Sequence, residues 1–245
     1  MLINMRNGLM AGKRLSAKSY VQDGLVAMWD GIENAGWGVH DPNATVWKDL
    51  TGNGWDFPSG DLLFHSDHVE ALANSISVKS STEFWDWSAA AFESVCERPY
   101  TTASNNGFFT LGRLGLPSIN NNYVNGYMWY ASQSTNNWRV MYPYGVSAVD
   151  KRFDLAHRGF VTDFTSPVVN QKAFRNGIYI PNDVYTSEPW TQTITHGSLG
   201  MKLVKGSTGT PKYWCIRLYS RALTAAEVAA NYAVDKARFS LPDAT

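Results

Sequence analysis

Residues 213–239 read YWCIRLYSRALTAAEVAANYAVDKARF, and this stretch decides the fold. Its first seven residues alternate as a strand does. Trp214, Ile216 and Leu218 are expected on one face, and Tyr213, Cys215, Arg217 and Tyr219 on the other. The composition then turns to alanine. Thr224 stands three residues before Glu227, the spacing at which each side chain satisfies the other's backbone N–H at a helix start. The pattern predicts a helix from Ala225 to about Lys236, with Val228 and Tyr232 facing the sheet.

Upstream, short strand patterns alternate with turn signals. VQDGLVAMWDG (21–31) sets Leu25, Ala27 and Trp29 against Val26 and Met28, which suits a strand buried on both faces. VWKDL (46–50), DLLFHS (61–66), HVEAL (68–72) and NSISVKS (74–80) are further strand candidates. WKDLTGNGWDF (47–57) crowds three large aromatics around a Gly-Asn-Gly turn. There Trp47 and Leu50 plug the core, and Asn53-Gly54 takes positive φ cheaply. EFWDWSAAAFESVCE (83–97) reads as a strand followed by a short helix. GFFTLGRLGL, GYMWYAS, NWRVMYPY, FDLAHRGFVTDF, AFRNGIYI and LGMKLV are successive strands parted by Asn-rich turns. Asn176-Gly177 is a two-residue hairpin turn. Turns every eight to twelve residues with one late helix indicate an all-β sandwich.

Composition agrees. The chain has 245 residues, 21 basic against 21 acidic, with 17% charged and 13% aromatic. A balanced charge excludes a general nucleic-acid binder, which needs a basic patch. A chain this long buries roughly 70% of its unfolded surface and needs no covalent staples. Its two cysteines, Cys96 and Cys215, make no disulfide framework. No apolar run reaches the ~18 residues of a membrane span. The opening residues lack the continuous apolar core of a secretory signal. The chain is expected to stay in a reducing compartment, the cytoplasm, unless it leaves by lysis or within a larger particle.

DGLVAMWDGIENAG (23–36), WKDLTGNGWDF and CIRLYSRALTAAEVAANYAVDKARF (215–239) resemble the laminin-G-like, concanavalin A-like jelly-roll domains of gut Bacteroidetes and their phages. Arg217, Tyr219, Arg221, Ala222, Leu223, Thr224, Glu227 and Tyr232 match the closing pattern of that family. Trp47, Asp49, Gly52, Asn53, Gly54 and Asp56 match its early motif. NMRNGLMAGKRL (4–15) is similar to the start of small phage structural proteins. The resemblance implies a jelly roll of two antiparallel sheets over residues 21–245, closed by a short C-terminal helix, with the first and last strands adjacent. It implies an N-terminal arm over residues 1–20, through which the chain self-associates or joins virion proteins. The fold hosts lectins, glycosidases and structural modules alike.

Chemistry is weighed residue by residue. Asp49, Asn53 and Asp56 are weak calcium candidates, since calcium takes six to eight oxygens and this loop offers three. No other cofactor is expected. A glycosidase needs two carboxylates across a sugar. Glu83 and Asp86 fall on opposite faces of a strand, and Glu93 and Glu97 are read as sharing a face only on a helix. His65 and His68 lie three apart without a third histidine or a cysteine, and read as ordinary surface or core histidines. Aromatics carry the remaining hint, because sugar C–H faces stack on Trp and Tyr while sugar hydroxyls seek Asn and Arg. The candidates are Trp85, Trp87, Trp129, Asn136, Asn137, Trp138, Arg139, Tyr142 and Trp190. The expected function is a non-catalytic carbohydrate- or surface-binding module, virion-associated in a phage or prophage. A cellular bacterial carbohydrate-binding protein and a divergent glycoside hydrolase are the alternatives.

Overall fold

The computed structural model describes residues 15–73, 75–80, 89–97, 106–113, 125–132, 137–141, 156–163, 170–180, 198–203, 210–241 and 243. Its strands, in chain order, are β1 (Leu25–Asp30), β2 (Val46–Trp47), β3 (Phe57–Pro58), β4 (Leu62–Phe64), β5 (Val69–Ala71), β6 (Ser75–Ser80), β7 (Ala89–Glu97) and β8 (Asn106–Arg113). β9 (Asn125–Ser132), β10 (Asn137–Met141), β11 (Ala156–Asp163), β12 (Asn170–Arg175), β13 (Ile178–Ile180), β14 (Ser198–Leu203) and β15 (Lys212–Tyr219) follow, and then α1 (Ala225–Phe239). One sheet has eight strands in the order β13-β12-β11-β7-β15-β5-β4, with β1 also beside β15. A second runs β10-β9-β8-β14-β6, and β2 pairs β3. All described pairings are antiparallel. The fold is an all-β jelly-roll sandwich with one short C-terminal helix.

The first and last strands do meet: Met28 pairs with Arg217 and Trp29 with Ile216. β15 is central, held by β7 on one side and by β1 and β5 on the other. Its facing departs from strict alternation. The register shifts between Tyr213 and Cys215, so Trp214 is an extra residue opposite β7. Tyr213, Ile216 and Leu218 therefore pack in the core between the sheets, together with Leu203 of β14. Trp214 joins Cys215 on the other side, under the helix. A one-residue bulge moves a side chain to the opposite face, which strict alternation cannot anticipate.

β7 corrects the helix expected within 83–97. Ala89–Glu97 is one continuous strand, paired along its length to β11 and to β15. Its alanines favour a helix, but two ladders, Ala89–Cys96 against β11 and Ala91–Glu97 against β15, engage its backbone on both edges and override that preference. Residues 81–88 lie outside the described residues. Cys96 faces the core between the sheets and Cys215 the helix side, and the two form no disulfide.

The early aromatic motif closes one end of the core. Trp47, Trp55 and Phe57 are buried there with Trp29. The Trp29 and Phe57 rings sit 5.0 Å apart, tilted by 53°, a contact contributing about 0.5–1.5 kcal/mol beyond area burial. Two of the indole N–H groups are satisfied by backbone: Trp47 donates to Asp30 O at 2.9 Å and Trp29 to Trp55 O at 2.7 Å. Gly52 and Gly54 take the left-handed conformation, φ 81° and 83°. Asn53 between them instead donates from its side chain to Val26 O at 2.9 Å.

α1 covers the outer face of the eight-stranded sheet. The capping box is formed as its sequence implies, with Glu227 N donating to Thr224 Oγ1 and Thr224 N to Glu227 Oε2. The helix runs three residues past Lys236 and stops at Ser240, in the left-handed conformation at φ 54°. Val228 and Tyr232 are buried as expected, but so are Asn231, Asp235 and Arg238. Positions 228, 231, 232, 235, 238 and 239 form one helical stripe, and half of it is polar.

That polar half meets a charged patch on the sheet. Arg217 Nε donates to Glu93 Oε2 at 3.1 Å, and Asn231 Nδ2 donates to the same oxygen at 2.6 Å. Arg238 donates to both oxygens of Asp30, at 2.7 and 2.9 Å, and to Glu33 at 3.1 Å. Residues 15–20, which the sequence assigns to the arm, lie over this patch. Ala17 N donates to Glu33 Oε1 at 2.7 Å, and Tyr20 OH donates to Asp235 Oδ1 at 2.6 Å. The Arg217 guanidinium sits 4.0 Å above the Tyr20 ring, a stacked cation–π arrangement. Burial pushes the Tyr20 hydroxyl well up, with Asp235 beside it adding to the rise. Among the described residues, no helix is long and apolar enough to cross a membrane.

Candidate functional site

The five-stranded sheet carries the glycan candidates that fall in described strands. Trp129 pairs with Val140 on β10 and with Phe109 on β8, and Phe109 pairs with Leu203 on β14. Leu203 is buried between the sheets. Directly paired residues, and residues two apart, share a face. Tyr127, Trp129 and Trp138 thus belong to the face of Leu203. Met128, Tyr130, Asn137 and Arg139 belong to the opposite, outer face, where Arg139 pairs with Tyr130 and Asn137 with Ser132. The register therefore separates Asn137 and Arg139 from Trp129 and Trp138. Trp85, Trp87, Asn136, Tyr142 and Trp190 lie outside the described residues.

The same register sets three glycines abreast. Gly126 on β9 pairs with Gly112 on β8, which pairs with Gly200 on β14. All three lie on the outer face, two rows from Tyr130 and Arg139. Strands are about 4.8 Å apart, so the row is a strip without Cβ atoms about 10 Å across. Glycine inside a strand commonly marks the close approach of another group. Each glycine is visible in the sequence; their alignment needs the register.

The early loop is organised by its own carboxylates. Asp49 Oδ1 accepts from Met28 N, Thr51 N and Thr51 Oγ1, and Asp49 Oδ2 from Thr51 Oγ1 and Trp55 N. Asp56 accepts from Asp49 N at 2.9 Å and from Lys48 Nζ at 2.6 Å. Asn53, Asp49 and Asp56 thus serve the turn through hydrogen bonds to backbone and lysine.

Glu93 and Glu97 share a face after all, because positions four apart on a strand do so; the expectation that only a helix would align them is corrected. Along a strand they are about 13 Å apart. Glu93 is fully buried against Arg217 and Asn231, whereas Glu97 is half-buried beside Lys212 Nζ at 3.8 Å. This pair has neither the spacing nor the access that sugar hydrolysis requires.

The turn joining β4 to β5 holds a cluster that the sequence spacing undersold. One ring nitrogen each of His65 and His68 and a Glu70 carboxylate oxygen lie within 4.8 Å of one another. The turn is tight, with His65 N donating to His68 O at 2.9 Å. It is also wedged from behind: a Cβ on Gly31 would stand 2.5 Å from Asp67 O and 2.6 Å from His68 Cα. The two imidazoles stack at 4.3 Å and 9°, and His68 stacks on Trp214 at 4.9 Å. His68 Nδ1 lies 2.7 Å from Asp67 Oδ1, and Trp214 Nε1 donates to Asp67 Oδ2 at 3.2 Å. Burial raises the Asp67 carboxyl, but these two hydrogen bonds outweigh it and hold the group below its ordinary value. The missed signal is the pairing of Glu70 across the hairpin with Leu63, which returns the chain beside His65.

No family model and no curated sequence matches the chain. Solved structures do. A Trypanosoma rangeli sialidase in complex with sialic acid superposes with TM-score 0.59 at 12% identity, over 87% of this chain and 33% of that one. Botulinum neurotoxin type C, from a study of cell entry dependent on two ganglioside molecules, gives TM-score 0.54 at 9% identity over 86% and 51%. The binding domain of botulinum neurotoxin DC, in complex with rat synaptotagmin II, gives 0.57 at 8% over 87% and 52%. The chain thus spans about a third of the sialidase and about half of each toxin chain. At these identities the likeness shows a shared β-sandwich.

Proposed function

We propose that this chain is a non-catalytic carbohydrate-binding module whose ligand lies on the outer face of β8, β9, β10 and β14. The observation that carries the reading is the row Gly126–Gly112–Gly200, with Tyr130, Asn137 and Arg139 on the same face. A sugar ring needs a flat approach, an aromatic to stack on, and amide or guanidinium donors for its hydroxyls. That face offers all three residue types. Trp129 and Trp138, on the face of Leu203, lie outside the ligand face in this reading. A structural neighbour in complex with sialic acid, and another whose cell entry depends on gangliosides, support a glycan ligand.

A glycan array of sialylated and neutral oligosaccharides tests the proposal. Tyr130→Ala, Arg139→Ala and Gly112→Val are expected to abolish binding by the parent chain without lowering its melting temperature by more than a few degrees. Trp85, Trp87, Asn136, Tyr142 and Trp190 are scanned beside them. A parent chain that binds no glycan overturns the reading.

The sialidase neighbours favour a divergent glycoside hydrolase as the second reading. It requires a carboxylate pair other than Glu93 and Glu97. A virion setting, with residues 1–20 joining virion proteins or a second copy, rests on the resemblance of residues 4–15 to phage structural proteins. Comparing the mass in solution of the parent with that of a chain lacking residues 1–14 tests self-association.

A further inference from the structure

We propose that His65, His68 and Glu70 form a binding site for a divalent transition-metal ion of the zinc class. Both Nε2 atoms are shielded from solvent and have no hydrogen-bond partner. Each faces the same oxygen: Glu70 Oε1 is 3.7 Å from His65 Nε2 and 3.8 Å from His68 Nε2. Those separations are too long for hydrogen bonds. They are close to the spacing of two atoms that share one ion, since ligands about 2.1 Å from a tetrahedral zinc stand about 3.4 Å apart. The stacked imidazoles must rotate out of parallel for both in-plane lone pairs to meet one ion.

The second imidazole nitrogen fixes the tautomer. A carboxylate only accepts, so His68 Nδ1 carries the proton that bonds to Asp67, and the lone pair of neutral His68 is on Nε2. Asp67 is held in turn by Trp214. A carboxylate behind a ligating imidazole is the usual support of a metal site. Lys212, which pairs with Glu70 across the sheet, has its ammonium 3.8 Å from Glu97, so Glu70 faces the imidazoles. Two imidazoles and one carboxylate suit zinc, nickel or copper(II), whereas calcium and magnesium prefer oxygen donors alone. Three protein ligands leave a fourth position for water or for a donor from a ligand.

The test is calorimetric titration of the full chain, free of any polyhistidine tag and stripped by chelator, with zinc chloride. One ion per chain and a raised melting temperature are expected, and calcium chloride at the same concentration gives neither. His65→Ala, His68→Ala and Glu70→Gln each weaken zinc binding at least tenfold. Asp67→Asn, which leaves all three ligands in place, weakens it by about 10–100-fold at unchanged stoichiometry. Cobalt(II) added to the parent gives a visible absorption that Glu70→Gln removes. Should His68→Ala fail to fold, His65→Ala and Glu70→Gln decide, because His65 is 37% exposed and Glu70 lies on the rim. No zinc heat with the parent overturns the proposal. So does binding undiminished in both of these variants.

Discussion

Arg217 of the last strand meets Asp235 of the closing helix at two points, Nη1 to Oδ1 at 2.8 Å and Nη2 to Oδ2 at 2.7 Å, with neither side chain exposed. The helix is thus fastened to the sheet by buried charge as well as by apolar contact. Burial acts to lower the Arg217 basicity, but Asp235 and Glu93 outweigh it, and the guanidinium is held more basic than usual. Such pairs contribute little over an apolar match, yet breaking one side is costly, because the other charge is left buried alone.

The two partners are therefore not equivalent. Asp235→Ala leaves Arg217 still paired with Glu93, whereas Arg217→Met takes the guanidinium from both Glu93 and Asp235. Each is expected to destabilise by about 3–5 kcal/mol, with Arg217→Met the worse. The double change Arg217→Met with Asp235→Ala costs less than the sum of the singles. Denaturant unfolding of the four chains measures this, and equal, additive losses would contradict it.

Tyr20 extends the seal to the segment before β1. A chain beginning at residue 15 is expected to melt well above one beginning at residue 21, which loses the Ala17–Glu33 and Tyr20–Asp235 hydrogen bonds and the ring over Arg217. Tyr20→Phe alone leaves the ring and removes one hydrogen bond to a buried carboxylate, at about 1–3 kcal/mol. Equal melting of the two shortened chains would show that residues 15–20 add nothing.

The helix start makes stability depend on acid. Glu227 accepts from Arg221 at 2.6 and 3.1 Å and from Thr224, and its carboxyl is lowered from 4.5 to about 2, chiefly by the Arg221 hydrogen bond. A lowered folded value means the stabilisation is complete above the unfolded value and disappears as pH falls. The parent chain is expected to lose its advantage over Glu227→Gln between about pH 4.5 and 2. Thr224→Ala costs about 1 kcal/mol at neutral pH. Melting of the three chains across that range checks both statements, and a constant gap between the parent and Glu227→Gln would contradict the first.

The β12–β13 turn allows a sharper substitution. Asn176 and Gly177 have φ of 49° and 76°, and a Cβ on Gly177 would lie 2.9 Å from Tyr232 Cβ. Gly177→Ala is strained both by its backbone and by the helix, and is expected to cost more than about 1 kcal/mol. Asn176→Gly, where the conformation suits glycine, should stay near neutral. Comparable melting of the two would argue against this contact between turn and helix.

Much of the architecture was legible because it is local. The capping box, the Asn-Gly turn and the doubly apolar β1 each depend on neighbours within a few residues. What was not legible depends on pairing. The bulge at Trp214 reverses one side chain, and two ladders turn the alanine-rich 89–97 into a strand. The stripe Asn231–Asp235–Arg238 was present at helical spacing, but its partners Glu93, Arg217 and Asp30 come from distant strands. The same holds for the candidate site. Trp129 and Arg139 read alike as sugar contacts until the register divides them between two faces, and Gly112 gains significance only beside Gly126 and Gly200.

Saturation-transfer NMR on the parent chain with a panel of sialylated and neutral oligosaccharides tests the central claim most directly. The account predicts magnetisation passing from protein to sugar C–H protons for at least one member, lost in Gly112→Val, with the sugar's anomeric signals unchanged on long incubation. Absence of transfer to every sugar, or the growth of a free reducing-end signal, would contradict it.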